Sequence, residues 1–311
     1  MNELTMYSQY ALWGIVILLC FSTVMIGVKV LIKPSKNDRE LWLRMYSWWL
    51  MAGLFVVMLA LGRLPTIIFF GMISLLALKE YFSIIPTRSV DKHLTSIALL
   101  AVPIQYWWVW QGWHTLFAMF IPVFLFLIVP FGIMLKGETQ GFLKAVGAIH
   151  WGLMATVFLP SHAVYLLALP RSGAASAQGA GMLIFLVFLT QFNDVLQFCW
   201  GKLLGKTKVV PSISPSKTLE GLLGGLVCTV ALAWLLAPYL TPLTSWQSLG
   251  AGIIIALGGF IGDVMMSAIK RDIGIKDTGN LIPGHGGILD RIDSLIVSAP
   301  VFFYYIYFLY F

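Results

Sequence analysis

The chain has 311 residues, of which 59% are hydrophobic and only 11% are charged, and its mean hydropathy is +0.88. Soluble domains contain about 45–50% apolar and about 25% charged residues, so this composition excludes a water-soluble globular protein. The three cysteines, Cys20, Cys199 and Cys228, are too widely spaced for a CxxC metal site and give no disulfide framework. The formal net charge of +7 comes without a basic soluble module, so nucleic acid is not expected as a partner.

Ten segments are apolar over a length that reaches or approaches about 20 residues, which a helix needs to cross the hydrocarbon core of a bilayer. They lie near residues 10–32, 46–62, 64–78, 94–110, 114–135, 145–169, 180–198, 221–238, 250–268 and 294–311. The second, third and fourth segments are short, so the expected range is eight to ten helices. The sequence therefore predicts an all-α, polytopic integral membrane protein with about ten transmembrane helices.

No internal repeat, low-complexity tract or soluble module is visible between these segments. We therefore predict a single integral membrane domain over residues 1–311. Within it, residues 1–175 supply the N-terminal hydrophobic helices and residues 180–311 the catalytic part. The first segment lacks a basic leader and a small-residue cleavage site, so it is expected to be retained as a helix.

The positively charged residues predict how the chain is oriented in the membrane. When the ten segments are traced alternately from an external N-terminus, every Lys and Arg except Arg63 and Arg171 falls on one side. The positive-inside rule makes that side cytoplasmic. We therefore expect a multi-pass protein of the inner (cytoplasmic) membrane, with its active site on a cytoplasmic face whose charge suits anionic lipid headgroups and nucleotides.

Acidic residues are concentrated towards the C-terminal end, where five of the 13 fall between positions 263 and 293. Asp263, Ser267 and Lys270 share one face of the predicted ninth helix, because successive helical residues are rotated by about 100°. A carboxylate within a membrane helix is costly and usually faces an internal cavity or pathway. Asp263 is therefore a functional candidate, and an ion pair with a neighbouring helix is the structural alternative.

A glycine-rich turn follows, and its backbone N–H groups are of the kind that cradle phosphate oxygens. Asp290 and Asp293 then stand one turn apart at the start of the last predicted helix. Hard carboxylate oxygens of this kind suit Mg²⁺. The alternative is a simple Gly/Pro turn followed by acids that merely favour a helix N-terminus.

The residues from Ser267 to Asp293 read Ser-x-Ile-Lys-Arg-x4-Lys-Asp-x-Gly-x2-Ile-Pro-x-His-Gly-Gly-Ile-x-Asp-Arg-Ile-Asp. This string resembles the signature of the phosphatidate cytidylyltransferase (CDP-diacylglycerol synthase) family at every defined position. The resemblance covers about residues 190–300, through three further motifs: Asn193-Asp194, Gly201–Lys206 and Ser214–Gly221. The chain resembles a divergent bacterial-type member, because it departs from the family pattern at Met266, at Ser216 and Leu219, and over Val195–Phe198.

The resemblance implies an enzyme of phospholipid biosynthesis that converts CTP and phosphatidic acid into CDP-diacylglycerol and pyrophosphate. It implies Mg²⁺ as the cofactor, held by Asp263, Asp290 and Asp293, with a two-metal site as one arrangement. The same three aspartates and Lys270 are the implied catalytic residues. The implied substrate-binding residues are Asp194, Lys217, Ser267, Arg271, Lys276, Asp277, His285, Gly286, Gly287 and Arg291.

Two other functions are compatible with this pattern. One is a related CTP-dependent transferase or lipid kinase that acts on another phospholipid or on an isoprenoid lipid. The other is a transporter, although the charges gather at predicted helix ends rather than at the midplane. Membrane lipids are expected partners, and a homodimer is left open. Glu80, at the predicted cytoplasmic end of the third segment, is interpreted as an interfacial residue.

Overall fold

The computed structural model describes residues 4–35, 37–85, 92–135, 137, 139–169, 178–279, 281–284 and 286–311. Within these ranges the chain forms consecutive helices and no β-strand, so the predicted all-α fold is confirmed. The helices are α1 (Met6–Ile32), α2 (Asp38–Leu61), α3 (Arg63–Ile84), α4 (Lys92–Gln111), α5 (His114–Met134), α6 (Phe142–Ala168), α7 (Gln178–Leu204), α8 (Leu219–Leu240), α9 (Ser245–Asp272) and α10 (Leu289–Tyr310).

Among these described helices, nine are long and apolar enough to cross a membrane, and the exception is α4. α4 is 20 residues long, contains Pro103 and packs against α3. Its buried Gln105 donates a hydrogen bond to the Phe117 carbonyl oxygen of α5 at 3.2 Å, so a polar side chain links two neighbouring helices within the bundle. The prediction of a polytopic membrane protein with about ten helices is confirmed.

Two helices of the N-terminal half are irregular where proline interrupts the backbone hydrogen bonding. α5 contains a π-helical stretch over Phe120–Leu125, which includes Pro122. α6 contains another over Met154–Phe158, just before Pro160. Such stretches locally change the direction in which side chains leave the helix.

The helices around the signature begin in two different ways. α8 follows Thr218, whose hydroxyl accepts a hydrogen bond from the Gly221 N–H at 3.2 Å, and α9 follows Thr244, which forms a capping box with Gln247. α10 follows Ile288, which has no side-chain oxygen to serve as a cap. The first N–H groups of α10 therefore need an acceptor from elsewhere in the chain.

Three helices of the C-terminal half, α7, α9 and α10, form the most buried part of the described bundle. Half of the apolar segment of each of these helices is buried, whereas only 6% of that of α1 is buried. α9 and α10 approach so closely that a Cβ atom at Gly262 would overlap the Asp293 carbonyl oxygen. Small residues at such crossings allow helix backbones to pack closely within a membrane.

One end of this bundle collects most of the residues that the sequence singled out. α9 ends and α10 begins there, joined by the loop of residues 273–288, which we call the signature loop. Arg271 donates to the Ile213 carbonyl oxygen, in the loop between α7 and α8, at 3.2 Å. Ser47 of α2 donates to the Pro283 carbonyl oxygen at 2.6 Å. The N-terminal half of the chain therefore contacts the signature loop, and the loop between α7 and α8 contacts the end of α9.

Candidate active site

Asp263, Ser267 and Lys270 lie on one face of α9, as their spacing predicts. Asp263 and Lys270 each pair with a residue of another element, and Ser267 bonds to Asp263. Ser267 donates a hydrogen bond to Asp263 Oδ1 at 3.3 Å. The other oxygen of Asp263 lies 2.5 Å from the Nζ atom of Lys217, just before α8. Lys270 reaches Asp290 of α10 instead, at 2.8 Å. Asp263 thus forms the ion pair with a neighbouring element that the sequence leaves open as an alternative.

Asp290 is held by three donors at the start of α10, and a hydroxyl that it shares with Glu80 lies beside it. Lys270 Nζ bonds to its Oδ1 atom. Its Oδ2 atom accepts from the Thr278 N–H at 3.1 Å and from the Gly287 N–H at 3.2 Å, and the Thr278 hydroxyl lies 3.1 Å from it. A carboxylate offers about four lone-pair positions, so the surrounding protein occupies most of the hydrogen-bonding capacity of Asp290. This carboxylate anchors the signature loop and the Lys270 ammonium.

The glycine-rich part of the signature loop makes a tight turn. The Ile282 N–H donates to the Gly286 carbonyl oxygen at 2.9 Å, and Gly284 and Gly286 have φ values of 72° and 80°, which favour glycine. The sequence predicts that backbone N–H groups of this turn cradle phosphate oxygens. The Gly287 N–H departs from that prediction, because it donates to Asp290 instead. The predicted substrate residue His285 lies outside the described residues.

Glu80 of α3 is a functional candidate that the sequence interpretation missed. Its Oε2 atom accepts from the Ile288 N–H at 2.8 Å and its Oε1 atom from the Leu289 N–H at 3.3 Å. The Thr278 hydroxyl also donates to Oε1 in a short hydrogen bond. Glu80 thus accepts hydrogen bonds from the N-terminal N–H groups of α10, for which the chain next to α10 offers no side-chain cap. The interpretation of Glu80 as an interfacial residue is therefore incomplete. The only sequence signal is an acid at the end of an apolar segment.

A second set of carboxylates, Asp194, Asp263 and Asp293, lies between α7, α9 and α10, and we call it the acidic group. Ser294 joins two of them, because its hydroxyl donates to Asp194 Oδ2 and its N–H to Asp293 Oδ1, both at 2.8 Å. Asp263 and Asp194 both lie close enough to Asp293 for their carboxylates to repel it electrostatically. Within the described residues, the buried Oδ1 atom of Asp194 has no hydrogen-bond partner.

Lys217 is the cation bound to this acidic group. Burial lowers the pKa of its ammonium, but attraction to Asp263 and then to Asp194 outweighs burial and leaves the pKa above its ordinary value. Lys217 therefore remains charged at neutral pH. Its side chain is 18% exposed and that of Asp263 is 23% exposed, so the pair remains accessible from the signature end.

The acidic group has the chemistry of a site for a hard divalent cation. No three His, Cys, Asp or Glu side chains within the described ranges converge as a ready set of metal ligands. However, the group combines three carboxylates with one ammonium, and one buried oxygen of Asp194 is unpaired among the described atoms. Carboxylate oxygens are the preferred protein ligands of Mg²⁺, so these residues fit the implied metal better than Asp290 does, which already accepts from Lys270, Thr278 and Gly287.

The remaining predicted substrate residues lie around the same end. Arg271 is exposed, and besides Ile213 it bonds to the Ile275 carbonyl oxygen at 3.0 Å. Lys276 and Asp277 are exposed on the signature loop. Arg291 is half-buried in the first turn of α10, and its Nε atom has no hydrogen-bond partner among the described residues. Arg271, Lys276 and Arg291 thus lie at the same end of the bundle as the two carboxylate sites.

Comparisons with known proteins show to which family the chain belongs. The model of the cytidylyltransferase family matches residues 42–309. The uncharacterized protein YnbB of Escherichia coli (strain K12) is 46% identical over 273 residues, which are 88% of this chain and 89% of that protein.

Two phosphatidate cytidylyltransferases match a shorter stretch. That of Mycobacterium leprae (strain TN) is 38% identical over 147 residues, or 47% of each chain. That of Staphylococcus aureus (strain COL) is 36% identical over 126 residues, or 40% of this chain and 48% of that protein. These alignments span about half the length of the two enzymes. The predicted resemblance is confirmed, and the chain belongs to the cytidylyltransferase family.

Proposed function

We propose that this protein is a phosphatidate cytidylyltransferase, which forms CDP-diacylglycerol and pyrophosphate from CTP and phosphatidic acid. The observation that carries the proposal is the acidic group with Lys217 bound to it, next to Lys270 and the signature loop. Family membership supports cytidylyl transfer, and the apolar helix bundle supports a lipid acceptor.

In this reaction a phosphate oxygen of phosphatidic acid attacks the α-phosphorus of CTP. A new P–O bond forms, the bond between the α-phosphorus and the bridging oxygen breaks, and pyrophosphate leaves with that electron pair. The attacking oxygen is already anionic, so the site needs cationic stabilisation more than a strong base. Lys217 and Arg291 are proposed to contact the phosphates, while Arg271 and Lys276 attract CTP at the rim.

Mg²⁺ is the proposed cofactor, as one ion or as a two-metal site. When bound, it would neutralise phosphate charge and orient the reacting groups. Asp263 and Asp293 are the proposed ligands, with Asp194 in support. The expectation that Asp290 is a metal ligand stays a prediction. We propose that Asp290 holds Lys270 and the signature loop, because Lys270, the Thr278 N–H and the Gly287 N–H all donate to it.

The proposed orientation places the signature end on the cytoplasmic side of the inner membrane. Two observations support it: the asymmetry of Lys and Arg along the sequence, and the position of Lys217, Lys270 and Arg271 at that end of the helices. CTP would then arrive from water and phosphatidic acid from the adjacent leaflet.

A direct assay tests the function. Purified protein given CTP, Mg²⁺ and phosphatidic acid is expected to release pyrophosphate and to form CDP-diacylglycerol, identified by mass spectrometry. Chelation of the metal should stop the reaction. Asp263→Asn should lower kcat on the order of 10³-fold and raise the Mg²⁺ concentration needed for half-activity, because it removes a charge from the acidic group.

A related transferase or lipid kinase remains the second candidate, since the full-length relative carries no assigned activity and the two named enzymes align over about half their length. CTP labelled at the α- or the γ-phosphorus separates these reactions. Transfer of the γ-label to lipid would assign a kinase. Transfer of the α-label to a lipid other than phosphatidic acid, in a panel of phosphorylated lipids, would assign a different acceptor.

A further inference from the structure

Glu80 stands outside the signature, at the end of a helix in the N-terminal half, yet it binds both ends of the signature loop. The Thr278 hydroxyl lies near the start of the loop, and the Ile288 and Leu289 N–H groups lie at its end. The three bonds converge on one carboxylate. Glu80 thus fixes the distance between the two places where the loop meets the bundle.

The contact supplies what the sequence of α10 lacks. The residue before α10 is Ile288, which cannot accept a hydrogen bond through its side chain. A carboxylate at a helix N-terminus satisfies free N–H groups and interacts favourably with the helix dipole. Glu80 provides this carboxylate from α3. Asp290 and Asp293 lie in the turns that immediately follow, so the first turn of α10 sets the position of both.

Thr278 connects Glu80 to the other carboxylate site. Its hydroxyl lies within hydrogen-bond distance of Glu80 and of Asp290, and its backbone N–H donates to Asp290. A hydroxyl has a single hydrogen, so it donates to one carboxylate at a time. The contacts continue from Asp290 to Lys270. One polar chain therefore runs from α3 through the signature loop to α9.

Apolar residues near the end of α3 pack against the start of α10. Ala77 and Tyr81 are buried in one cluster with Ile288, Leu289 and Ile292. This packing brings the end of α3 against the first turn of α10. The position of Glu80 is therefore fixed by apolar contacts as well as by hydrogen bonds.

We infer that Glu80 is a positioning residue of the active site, which holds the signature loop and the first turn of α10 in the geometry required for nucleotidyl transfer. The inference rests on the proposed function for its kinetic part. It assigns to the N-terminal half a role in the chemistry as well as in membrane anchoring. Glu80 acts through Asp290 and Lys270 and touches no reacting atom.

Three substitutions of Glu80 distinguish the effect of its charge, the effect of its side-chain length and the effect of removing the side chain. Glu80→Ala is expected to lower kcat about 10- to 100-fold, because small displacements of catalytic groups are costly, while KM for CTP changes less than about threefold. Glu80→Gln should lose less, since its amide oxygen keeps one acceptor. Glu80→Asp should resemble Glu80→Ala, because its shorter side chain does not reach the loop.

Hydrogen–deuterium exchange supplies a readout that does not depend on activity. In Glu80→Ala, exchange should rise at the amides of Thr278, Ile288 and Leu289 and remain unchanged over 299–306 of α10. Asp38→Asn is the matched control: this acid at the start of α2 accepts from Lys29 and from the Ser35 N–H, and its loss should change neither exchange at the signature loop nor kcat.

Full kcat in Glu80→Ala would overturn the inference. So would exchange that rises equally throughout α7–α10, since that pattern assigns a general role in stability. If the unsubstituted protein fails to make CDP-diacylglycerol, the proposed function fails, but the exchange pattern still decides whether Glu80 holds the loop.

Discussion

The two carboxylate sites at the signature end are built from the same residue type and differ in how completely they are bonded. Asp290 is 7% exposed, and it accepts from Lys270, from the Thr278 N–H and from the Gly287 N–H, with the Thr278 hydroxyl shared between it and Glu80. The acidic group accepts from Lys217, Ser267 and Ser294, and it retains a buried oxygen of Asp194 without a partner among the described residues. A carboxylate that several donors hold fixes structure, whereas an incompletely bonded group has capacity left for a cation or a substrate.

The strongest test of this difference removes the cation of the acidic group. Lys217→Met is expected to lower kcat on the order of 10²-fold, because a charge that stabilises the transferring phosphates is lost. Steady-state kinetics with CTP and phosphatidic acid measure the effect. Lys202→Met is the control, since this exposed lysine lies over the Phe198 ring rather than at the acidic group. Equal losses in both variants would remove the special role of Lys217.

Substitution of Asp290 should have a smaller effect on rate and a different dependence on metal. In Asp290→Asn the amide nitrogen cannot accept from Lys270 or from the loop, so kcat should fall about 10- to 100-fold and the midpoint of thermal unfolding should decrease. The Mg²⁺ concentration for half-activity should stay within about twofold of the unsubstituted value. An increase as large as that of Asp263→Asn would show that Asp290 is a metal ligand after all.

The smallest effect is expected at Ser294, which joins Asp194 to Asp293. Ser294→Ala removes the hydroxyl that donates to Asp194 and keeps the backbone N–H that donates to Asp293. The loss of one such hydrogen bond corresponds to about 1 kcal/mol, so kcat/KM should decrease by less than about tenfold. Ser298→Ala, one turn further from the acidic group, is the control. A loss as large as that of Lys217→Met would place Ser294 among the catalytic groups.

The sequence predicts those parts of the fold and the site that depend on local pattern. Hydropathy identifies the helices, because each must satisfy its own backbone hydrogen bonds within the membrane. The pairing of Asp263 with Ser267 follows from helical spacing. The partner of Lys270 does not, because Asp290 is brought to it by the path of the signature loop.

Glu80 shows most clearly why the remaining part was not predictable. It is separated by 198 residues from Thr278, so the contact depends on how α3 packs against α10. Thr278 itself stands at an undefined position of the signature, yet it contacts both Glu80 and Asp290. Its role depends on a hydroxyl that meets two carboxylates, and that meeting exists only in the folded chain. The assignments of Mg²⁺ and of the individual substrate residues stay predictions.

The close approach of α9 and α10 at Gly262 has a consequence for the kind of cation that the proposed site would bind. Asp263 follows this glycine directly, and the Asp293 carbonyl oxygen lies against it. The distance between the two helix backbones at this crossing therefore sets the distance between two proposed ligands, Asp263 and Asp293. Mg²⁺ requires oxygen distances of about 2.0–2.1 Å, whereas Ca²⁺ accepts about 2.3–2.6 Å. Larger side chains at position 262 would push α9 and α10 apart by an amount that increases with side-chain size, and they would not alter any charge. We therefore expect the ionic-radius selectivity of the proposed cation site to depend on the size of residue 262, which contacts no ion.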